Sequence, residues 1–134
     1  MSLCHTIAYA KQYIETVNHD GVRHINGDVC HMQEEESHIG SAMLDAVYML
    51  TNLHITESNS RALGNGSLDL DTIIMTLYLV GYNNDACYLT PEPLGSCGVV
   101  YRARYSRPPE EKLYALVKIS VSYFREREGV RNLK

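Results

Sequence analysis

Three polar side chains recur at helical spacing within a largely apolar stretch of the sequence. His38, Ser41 and Asp45 follow one another at steps of three and four residues, so a helix would place them on neighbouring turns of one face. An imidazole, a hydroxyl and a carboxylate in that arrangement could supply acid–base catalysis if the apolar neighbours of Asp45 bury it. The alternative is an ordinary solvent-exposed helix face. The spacing therefore predicts a candidate catalytic group of His38, Ser41 and Asp45.

A second set of side chains, in the C-terminal third of the sequence, could bind phosphate groups. Arg102, Arg104 and Lys118 lie among alternating apolar residues, and Tyr114 lies between them. Cations on one face of a sheet can contact phosphates, and an exposed aromatic ring can stack on a base. The chain as a whole is acidic, with a net charge of −4. Nucleic-acid binding is therefore an alternative, and a solvated sheet face is the simpler interpretation.

One stretch of the sequence contains several residues that could ligate a metal ion. They are His24, Cys30, His31, Glu34 and His38. Their spacing matches no zinc pattern, and the adjacent Cys30 and His31 would point to opposite faces of a strand. The sequence contains no glycine-rich phosphate loop and neither a GxSxG nor an HExxH motif. It therefore predicts no metal site and no bound cofactor.

Length and composition indicate one globular domain. The chain has 134 residues, of which 45% are hydrophobic and 21% are charged, and this excludes a disordered or collagen-like chain. Charge is unevenly spread, since residues 1–98 contain 3 basic and 12 acidic side chains, whereas residues 99–134 contain 9 and 4. We expect a single α+β domain over residues 1–124, followed by a charged tail over residues 125–134.

The N-terminal residues and the cysteines indicate where in the cell the protein is located. Residues 1–10 lack the basic start and apolar core of a signal peptide, and no apolar run approaches the roughly 20 residues of a membrane span. The four cysteines form no CxxC pair, so free thiols are expected, with two disulfides as the alternative. The sequence predicts a soluble cytoplasmic protein that has no membrane partner.

Apolar periodicity predicts three helices. The first helix spans residues 4–18, and Gly21 is the glycine that stops it. The second, a long central helix, spans residues 33–55. The apolar side chains of the central helix recur at steps of three and four: they are Ile39, Met43, Ala46, Leu50 and Leu53. Residues 68–81 are ambiguous, because their β-branched residues favour a strand whereas an acidic start and a glycine at the end favour a helix. We predict a helix there.

Turn residues and alternation predict the strands. Asn26-Gly27 is a strong turn signal, so we expect a small β-hairpin over residues 21–32. Three further segments are predicted as strands: the start of residues 85–98, residues 99–106 and residues 112–124. The last two alternate apolar and polar side chains and would pair as an antiparallel hairpin. Residues 56–67 are polar and are predicted to form a loop.

Together these elements predict an α+β fold. It consists of an N-terminal helix, a small β-hairpin, a long central helix and a third helix, packed on a C-terminal antiparallel sheet. In this arrangement Met43 and Leu50 cover the apolar side of the sheet, where Val117, Ile119 and Val121 lie. Such a sheet leaves an open edge, which a second copy of the chain could cover as a homo-oligomer.

The order of elements resembles the hotdog fold of acyl-thioester enzymes. Residues 38–45 are similar to the His-Gly-Gly…Leu-x-Asp run that opens the central helix of that family, although Ile39 replaces one of the paired glycines. Residues 111–116 are similar to its last strand. The resemblance implies a thioester hydrolase or dehydratase, in which Asp45 activates water or polarises the thioester. It also implies that backbone amides at Gly40 hold the thioester carbonyl.

No complete catalytic motif is present, so the function predicted from the sequence is binding. We interpret the chain as a small intracellular interaction domain whose partner is another protein. Ten tyrosines support this interpretation, because tyrosine is enriched at interfaces. Two alternatives stay open: a hotdog-type thioester enzyme that uses Asp45, and a nucleic-acid binder that uses the basic C-terminal hairpin.

Overall fold

The computed structural model of the protein describes residues 4–94 and 110–130. Strands and helices alternate along the first of these two ranges, and the second range is one helix. In chain order the elements are α1 (Ile7–Val17), β1 (Ile25–Asp28), α2 (Val29–Glu35), α3 (Ile39–Ala46), a 3-10 turn (Val47–Met49), β2 (Leu50–Ile55), α4 (Leu70–Leu79), β3 (Tyr88–Pro91) and α5 (Glu110–Val130).

The described residues fall into two compact units. The first unit contains the residues up to His54 together with Asp71–Thr90. The second unit contains Ile55–Leu70 and the described residues from Pro91 onward. The expectation of a single domain over residues 1–124 stays a prediction.

The three strands form one parallel sheet in the order β1-β2-β3. Helices α2 and α3 connect β1 to β2, and α4 connects β2 to β3, as parallel neighbours require a crossover connection. In the paired strands β1 and β2, Gly27 lies opposite Leu53, and Asp28 lies opposite His54. The predicted α+β arrangement on an antiparallel sheet is therefore wrong.

The Asn26-Gly27 dipeptide lies inside β1, so the predicted β-hairpin over residues 21–32 is wrong. Gly27 is buried, and a Cβ atom added there would lie 2.9 Å from a methyl group of Leu53 and 3.0 Å from one of Leu50. Glycine is needed at this position because β2 side chains approach the backbone of β1 closely. The dipeptide that favours a turn serves strand packing instead.

The predicted central helix over residues 33–55 is wrong as a continuous helix. It is divided into α2 and α3, and a 3-10 turn follows in which Val47 adopts a left-handed φ of 43°. The chain then continues as β2, where Leu50 and Leu53 are buried. Apolar side chains are spaced at three and four residues on both sides of this junction, so their periodicity does not reveal the change from helix to strand.

The most deeply buried side chains of the first unit are apolar residues of α2, α3, β2 and α4, with Ile7 of α1 and Ile25 of β1 also in the core. The burial of each such side chain contributes about 1.5–3 kcal/mol to folding. The members that are at most 1% exposed are Val29, Met43, Ala46, Leu50, Leu53, Ile73 and Ile74.

Several local predictions are confirmed in this unit. The first predicted helix is α1, although it ends at Val17, where Asn18 with a left-handed φ of 45° is the C-cap, and does not extend toward Gly21. The helical interpretation of residues 68–81 is confirmed by α4, after which Gly81 has a φ of 71°. The short strand at the start of residues 85–98 is confirmed by β3.

In the second unit, α5 occupies the segment predicted as the strand over residues 112–124, and that prediction is wrong. The side chains of Val117 and Ile119 are 37% and 48% exposed, so the expected apolar sheet face is not formed. Residues 125–130, which were expected to belong to a charged tail, continue this helix. The predicted partner strand over residues 99–106 lies outside the described residues. None of the described helices is long and apolar enough to cross a membrane.

The predicted loop over residues 56–67 is confirmed, and a buried carboxylate organises it. Glu57 is only 2% exposed, and its carboxylate accepts three hydrogen bonds, each at 3.0 Å. The donors are the backbone N–H groups of Ser58, Gly64 and Leu68. Three backbone donors satisfy the buried charge.

Elsewhere in this unit, Glu92 follows β3 directly and donates its backbone N–H to the carbonyl of Ile55 at 2.9 Å.

The close packing at Gly27 yields a stability prediction. Gly27→Ala should destabilise the protein by about 1–3 kcal/mol, because the new methyl group overlaps the side chains of Leu50 and Leu53. Gly129→Ala is the matched control, since nothing lies within 4 Å of its added Cβ in α5, and it should stabilise the helix by about 0.5–1 kcal/mol. Chemical denaturation measures both changes, and a Gly27→Ala variant as stable as the wild type would contradict the packing.

A buried tyrosine yields a pH prediction. Burial, with a smaller contribution from Cys87, raises the pKa of Tyr82 well above its ordinary value of 10, and its hydroxyl donates to the carbonyl of Tyr88. The unfolded chain therefore loses this proton first, so the stabilisation is complete below pH 10 and declines as the pH rises further.

The free energy of unfolding should fall above pH 10 by up to about 1.4 kcal/mol per pH unit more in the wild type than in Tyr82→Phe. Denaturation curves over a pH series measure this difference. Tyr48→Phe is the control for removal of a tyrosine hydroxyl, because Tyr48 is 77% exposed. A difference between Tyr82→Phe and the wild type that does not change with pH would rule out the proton linkage.

Candidate functional site

The junction of β1 and α2 presents a carboxylate at the carboxyl end of the sheet. Asp28 is the last residue of β1, and α2 begins at the next residue. One oxygen of Asp28 accepts a hydrogen bond from the backbone N–H of Cys30 at 2.9 Å and thereby caps α2. The other oxygen lies 3.7 Å from Nε2 of His31. The carboxylate is therefore fixed by the helix start while one oxygen is turned to an imidazole.

The neighbouring strand presents a second imidazole at the same level. His54 pairs with Asp28 in the parallel register of β1 and β2. Each of the two side chains offers one ligand atom, and these atoms lie within 4.8 Å of each other. A carboxylate oxygen and an imidazole nitrogen at this separation can bind a divalent cation. In open parallel sheets, ligands bind at the carboxyl ends of the strands.

A cavity of about 310 Å³ lies in the first unit beside Asp28. Its volume is at the lower end of the range for small-molecule sites. Its lining includes carboxylate and imidazole groups, among which Nδ1 of His5 lies 3.6 Å from a carboxylate oxygen of Glu35. The lining side chains that carry ionisable groups are Cys4, His5, Asp28, His31, Glu34, Glu35 and Glu36. The first unit therefore offers space for a small polar molecule next to the carboxylate of Asp28.

The structure brings together two of the three residues of the predicted catalytic group. His38 caps α3, and its Nδ1 accepts a hydrogen bond from the backbone N–H of Ser41 at 3.1 Å, while the hydroxyl of Ser41 lies 3.3 Å from the same nitrogen. Asp45 lies near the other end of α3, where its side chain is 58% exposed and pairs with Lys11 at 2.9 Å. The geometry of Asp45 is that of a surface ion pair. A catalytic role for the three residues stays a prediction.

The predicted phosphate-binding residues are only partly described. Tyr114 and Lys118 are exposed and lie one helical turn apart on α5, rather than on a strand. Arg102 and Arg104 lie outside the described residues. Binding by these four residues stays a prediction, but the sheet face that was expected to carry it is replaced by a helix where the structure describes it.

Sequence comparison finds similarity to sugar epimerases. No family model matches the chain. A ketose 3-epimerase from Arthrobacter globiformis is 37% identical over 79 residues, which cover 59% of this chain and 27% of that protein. An L-ribulose 3-epimerase from Mesorhizobium japonicum is 32% identical over 87 residues, which cover 65% of this chain and 29% of that protein. The matched region thus spans less than a third of these curated relatives.

Structural comparison finds the same class. A solved structure of L-ribulose 3-epimerase matches 98% of this chain and 45% of its own, with a TM-score of 0.80 and 27% identity. A D-psicose 3-epimerase from Clostridium cellulolyticum with D-tagatose matches 94% of this chain and 45% of its own, with a TM-score of 0.73 and 23% identity. These neighbours are sugar epimerases with a TIM-barrel-like fold.

The comparisons correct the functions expected from the sequence. Both the similar sequences and the similar structures are sugar epimerases, which are enzymes. The predicted non-catalytic interaction domain is therefore wrong, and so are its alternatives, the hotdog-type thioester enzyme and the nucleic-acid binder. The parallel sheet of the described residues corresponds to a part of the barrel fold.

Sequence reasoning missed Asp28 and His54. Asp28 was assigned to a hairpin and His54 to the end of a long helix, so neither was placed at the end of a parallel strand. An N-cap signal for Asp28 is present, because aspartate is a preferred residue immediately before a helix and α2 begins directly after it. His54 carries no comparable local signal.

The Asp28–His54 pair yields a prediction of cation binding. Asp28→Asn and His54→Gln should each weaken Mn²⁺ binding by roughly tenfold to a hundredfold, because each removes one ligand or its charge. The paramagnetic resonance signal of free Mn²⁺ measures binding during a titration. Asp85→Asn and His24→Gln, which change exposed residues, are the matched controls and should bind like the wild type. Equal affinities for all five proteins would contradict the site.

Proposed function

We propose that this chain contributes to the active site of a ketose 3-epimerase. The observation that carries the proposal is the pairing of Asp28 with His54 at the carboxyl ends of two parallel strands. The support from relatives is the 37% identity to a protein named ketose 3-epimerase and the TM-score of 0.80 to a solved L-ribulose 3-epimerase. The substrate class would be a ketose, a small polyhydroxylated molecule.

The reaction sets clear chemical requirements. Epimerisation at C3 of a ketose inverts a carbon that is adjacent to the C2 carbonyl. A base removes the C3 proton, the electron pair forms a C2–C3 double bond, and negative charge develops on the C2 oxygen. A proton is then delivered to the opposite face of C3, which restores the carbonyl. The site must therefore supply groups that hold and move protons, and positive charge near the C2 oxygen.

Residues of the first unit meet several of these requirements. The Asp28 carboxylate is held in place by the start of α2, and His31 lies within 3.7 Å of it with an imidazole that can hold or return a proton. A divalent cation bound by Asp28 and His54 would supply the positive charge that polarises the C2 carbonyl. This assignment departs from the sequence-based expectation that the chain holds no metal.

The partners expected from the sequence are separate from this proposal. A protein partner and a homo-oligomer stay predictions. The chain spans less than half the length of the solved epimerases that it matches, so the activity of the whole protein is part of the proposal.

Exchange with solvent tests the proposal at the reacting carbon. The protein is incubated in D₂O with Mn²⁺ and, in turn, L-ribulose, D-psicose and D-tagatose, and NMR measures deuterium at C3 and formation of the epimer. We expect exchange by the wild type, and a rate loss on the order of a hundredfold in Asp28→Asn and in His54→Gln. Asp28→Asn isolates the chemistry, because asparagine also caps helices and α2 should remain formed.

The exposed controls Asp85→Asn and His24→Gln should exchange at the wild-type rate. The absence of C3 exchange by the wild type with all three ketoses would contradict the proposed activity. Exchange that survives in both Asp28→Asn and His54→Gln would contradict the assigned residues.

A further inference from the structure

The sequence contains a second Asn-Gly dipeptide, and it lies in the loop that Glu57 organises. Asn65 and Gly66 are both exposed. The backbone N–H of Gly66 donates no hydrogen bond to any of the described residues. The side-chain amide of Asn65 is held by one long hydrogen bond, 3.3 Å, to the carbonyl of Ala62. An exposed asparagine is therefore followed by a backbone nitrogen that donates to none of the described residues. The loop around it is packed, since the carbonyl of Asn65 accepts a hydrogen bond from the side-chain amide of Asn59 at 2.7 Å and the side chains of Glu57 and Ser58 lie beside Gly66.

This arrangement permits a reaction without any enzyme. The backbone nitrogen of Gly66 loses its proton to solvent and attacks Cγ of Asn65, a C–N bond forms, and ammonia leaves with the proton it gains. The resulting five-membered imide is opened by water at either carbonyl. One opening gives aspartate, and the other gives isoaspartate, in which the main chain passes through the former side chain. Glycine at the second position favours the attack, because it offers no Cβ hindrance and wide conformational freedom.

The first Asn-Gly dipeptide provides an internal comparison, because it is held in an unsuitable conformation. Asn26 and Gly27 belong to β1, whose residues pair with β2. The side-chain oxygen of Asn26 accepts a hydrogen bond from Asn52 at 2.7 Å. Attack at this site requires the strand to leave the sheet first, and such opening costs free energy that an exposed loop does not require.

The Glu57 carboxylate makes the loop sensitive to the length of its backbone. One oxygen of Glu57 accepts from the N–H of Gly64 and the other from the N–H of Leu68, each at 3.0 Å. These two donors lie on either side of Asn65 and Gly66, so the carboxylate fixes the length of chain between them. Isoaspartate at position 65 adds one methylene group to the main chain in this interval. The hydrogen bonds from Gly64 and Leu68 cannot then both keep their geometry, and the buried charge loses at least one of its three backbone donors.

We propose that Asn65 is a site of spontaneous deamidation, and that isoaspartate formation there opens the loop that Glu57 holds. This inference is independent of the epimerase proposal, since it concerns the chain itself and requires no substrate. Its consequence is an irreversible, time-dependent loosening of the loop that follows β2.

Peptide mapping by mass spectrometry tests the first part of the inference. The purified protein is incubated in mildly alkaline buffer, and the gain in mass from amide to acid is followed at both asparagines. We expect Asn65 to react faster than Asn26 by on the order of tenfold or more, because strand opening limits the reaction at Asn26. Equal rates, or faster reaction at Asn26, would overturn the assignment.

Hydrogen exchange tests the second part. The amides of Gly64 and Leu68 should be protected in fresh protein and should lose protection in the fraction that carries isoaspartate. Asn65→Gln is the control, because glutamine forms the corresponding ring much more slowly, and its protection should persist through the same incubation. Gly66→Ala is unsuitable as a control, since its Cβ would lie 2.4 Å from a carboxylate oxygen of Glu57 and would itself disturb the loop.

Asn65→Asp separates the effect of charge from that of length. It adds the negative charge without the extra methylene group, so it should lose less protection at Gly64 and Leu68 than the isoaspartate form loses. Unchanged protection in the isoaspartate form, or equal loss in Asn65→Asp, would overturn the role assigned to backbone length.

Discussion

The parallel pairing of β1 with β2 is the constraint on which the site depends. The two strands can pair in this register because Gly27 leaves space for the methyl groups of Leu50 and Leu53, which would lie within 3.0 Å of any Cβ at that position. The same register places Asp28 opposite His54. A Cβ atom at position 27 would displace the ends of these two leucine side chains, and a larger side chain would displace them further. Core packing and the geometry of the candidate site therefore have one physical origin.

The elements that could be predicted from the sequence are those with signals at their own ends. An acidic first turn and a closing glycine identified α4, apolar periodicity identified α1, and polar composition identified the loop over residues 56–67. The signals failed where a distant contact overrides them. Asn26-Gly27 favours a turn in isolation, but the packing of Leu53 against Gly27 retains it in a strand. The left-handed backbone at Val47, which separates α3 from β2, has no sequence signal, because valine rarely adopts it.

The strand predicted over residues 112–124 is wrong because these residues belong to α5, and the reason is physical. Alternating apolar residues between positions 112 and 124 fit a strand, yet Leu113, Leu116 and Ser120 are spaced for one helix face, and Ser120 is 1% exposed. The hydroxyl of Ser120 accepts a hydrogen bond from the backbone N–H of Leu63 at 3.1 Å, a contact between segments 57 residues apart. The candidate site escaped prediction for the same reason. Asp28 and His54 are ordinary residues until a non-local register pairs them.

The parallel pairing of β1 with β2 is tested most directly by isotope-edited NMR, which detects contacts between backbone protons of the two strands. Parallel pairing predicts nuclear Overhauser effects from Gly27 to the neighbourhood of Leu53, and from Asp28 to that of His54. It also predicts none of the short Ile25–Asp28 contacts that a two-residue hairpin turn produces. Strong contacts between Ile25 and Asp28, without contacts from Gly27 to β2, would contradict the account.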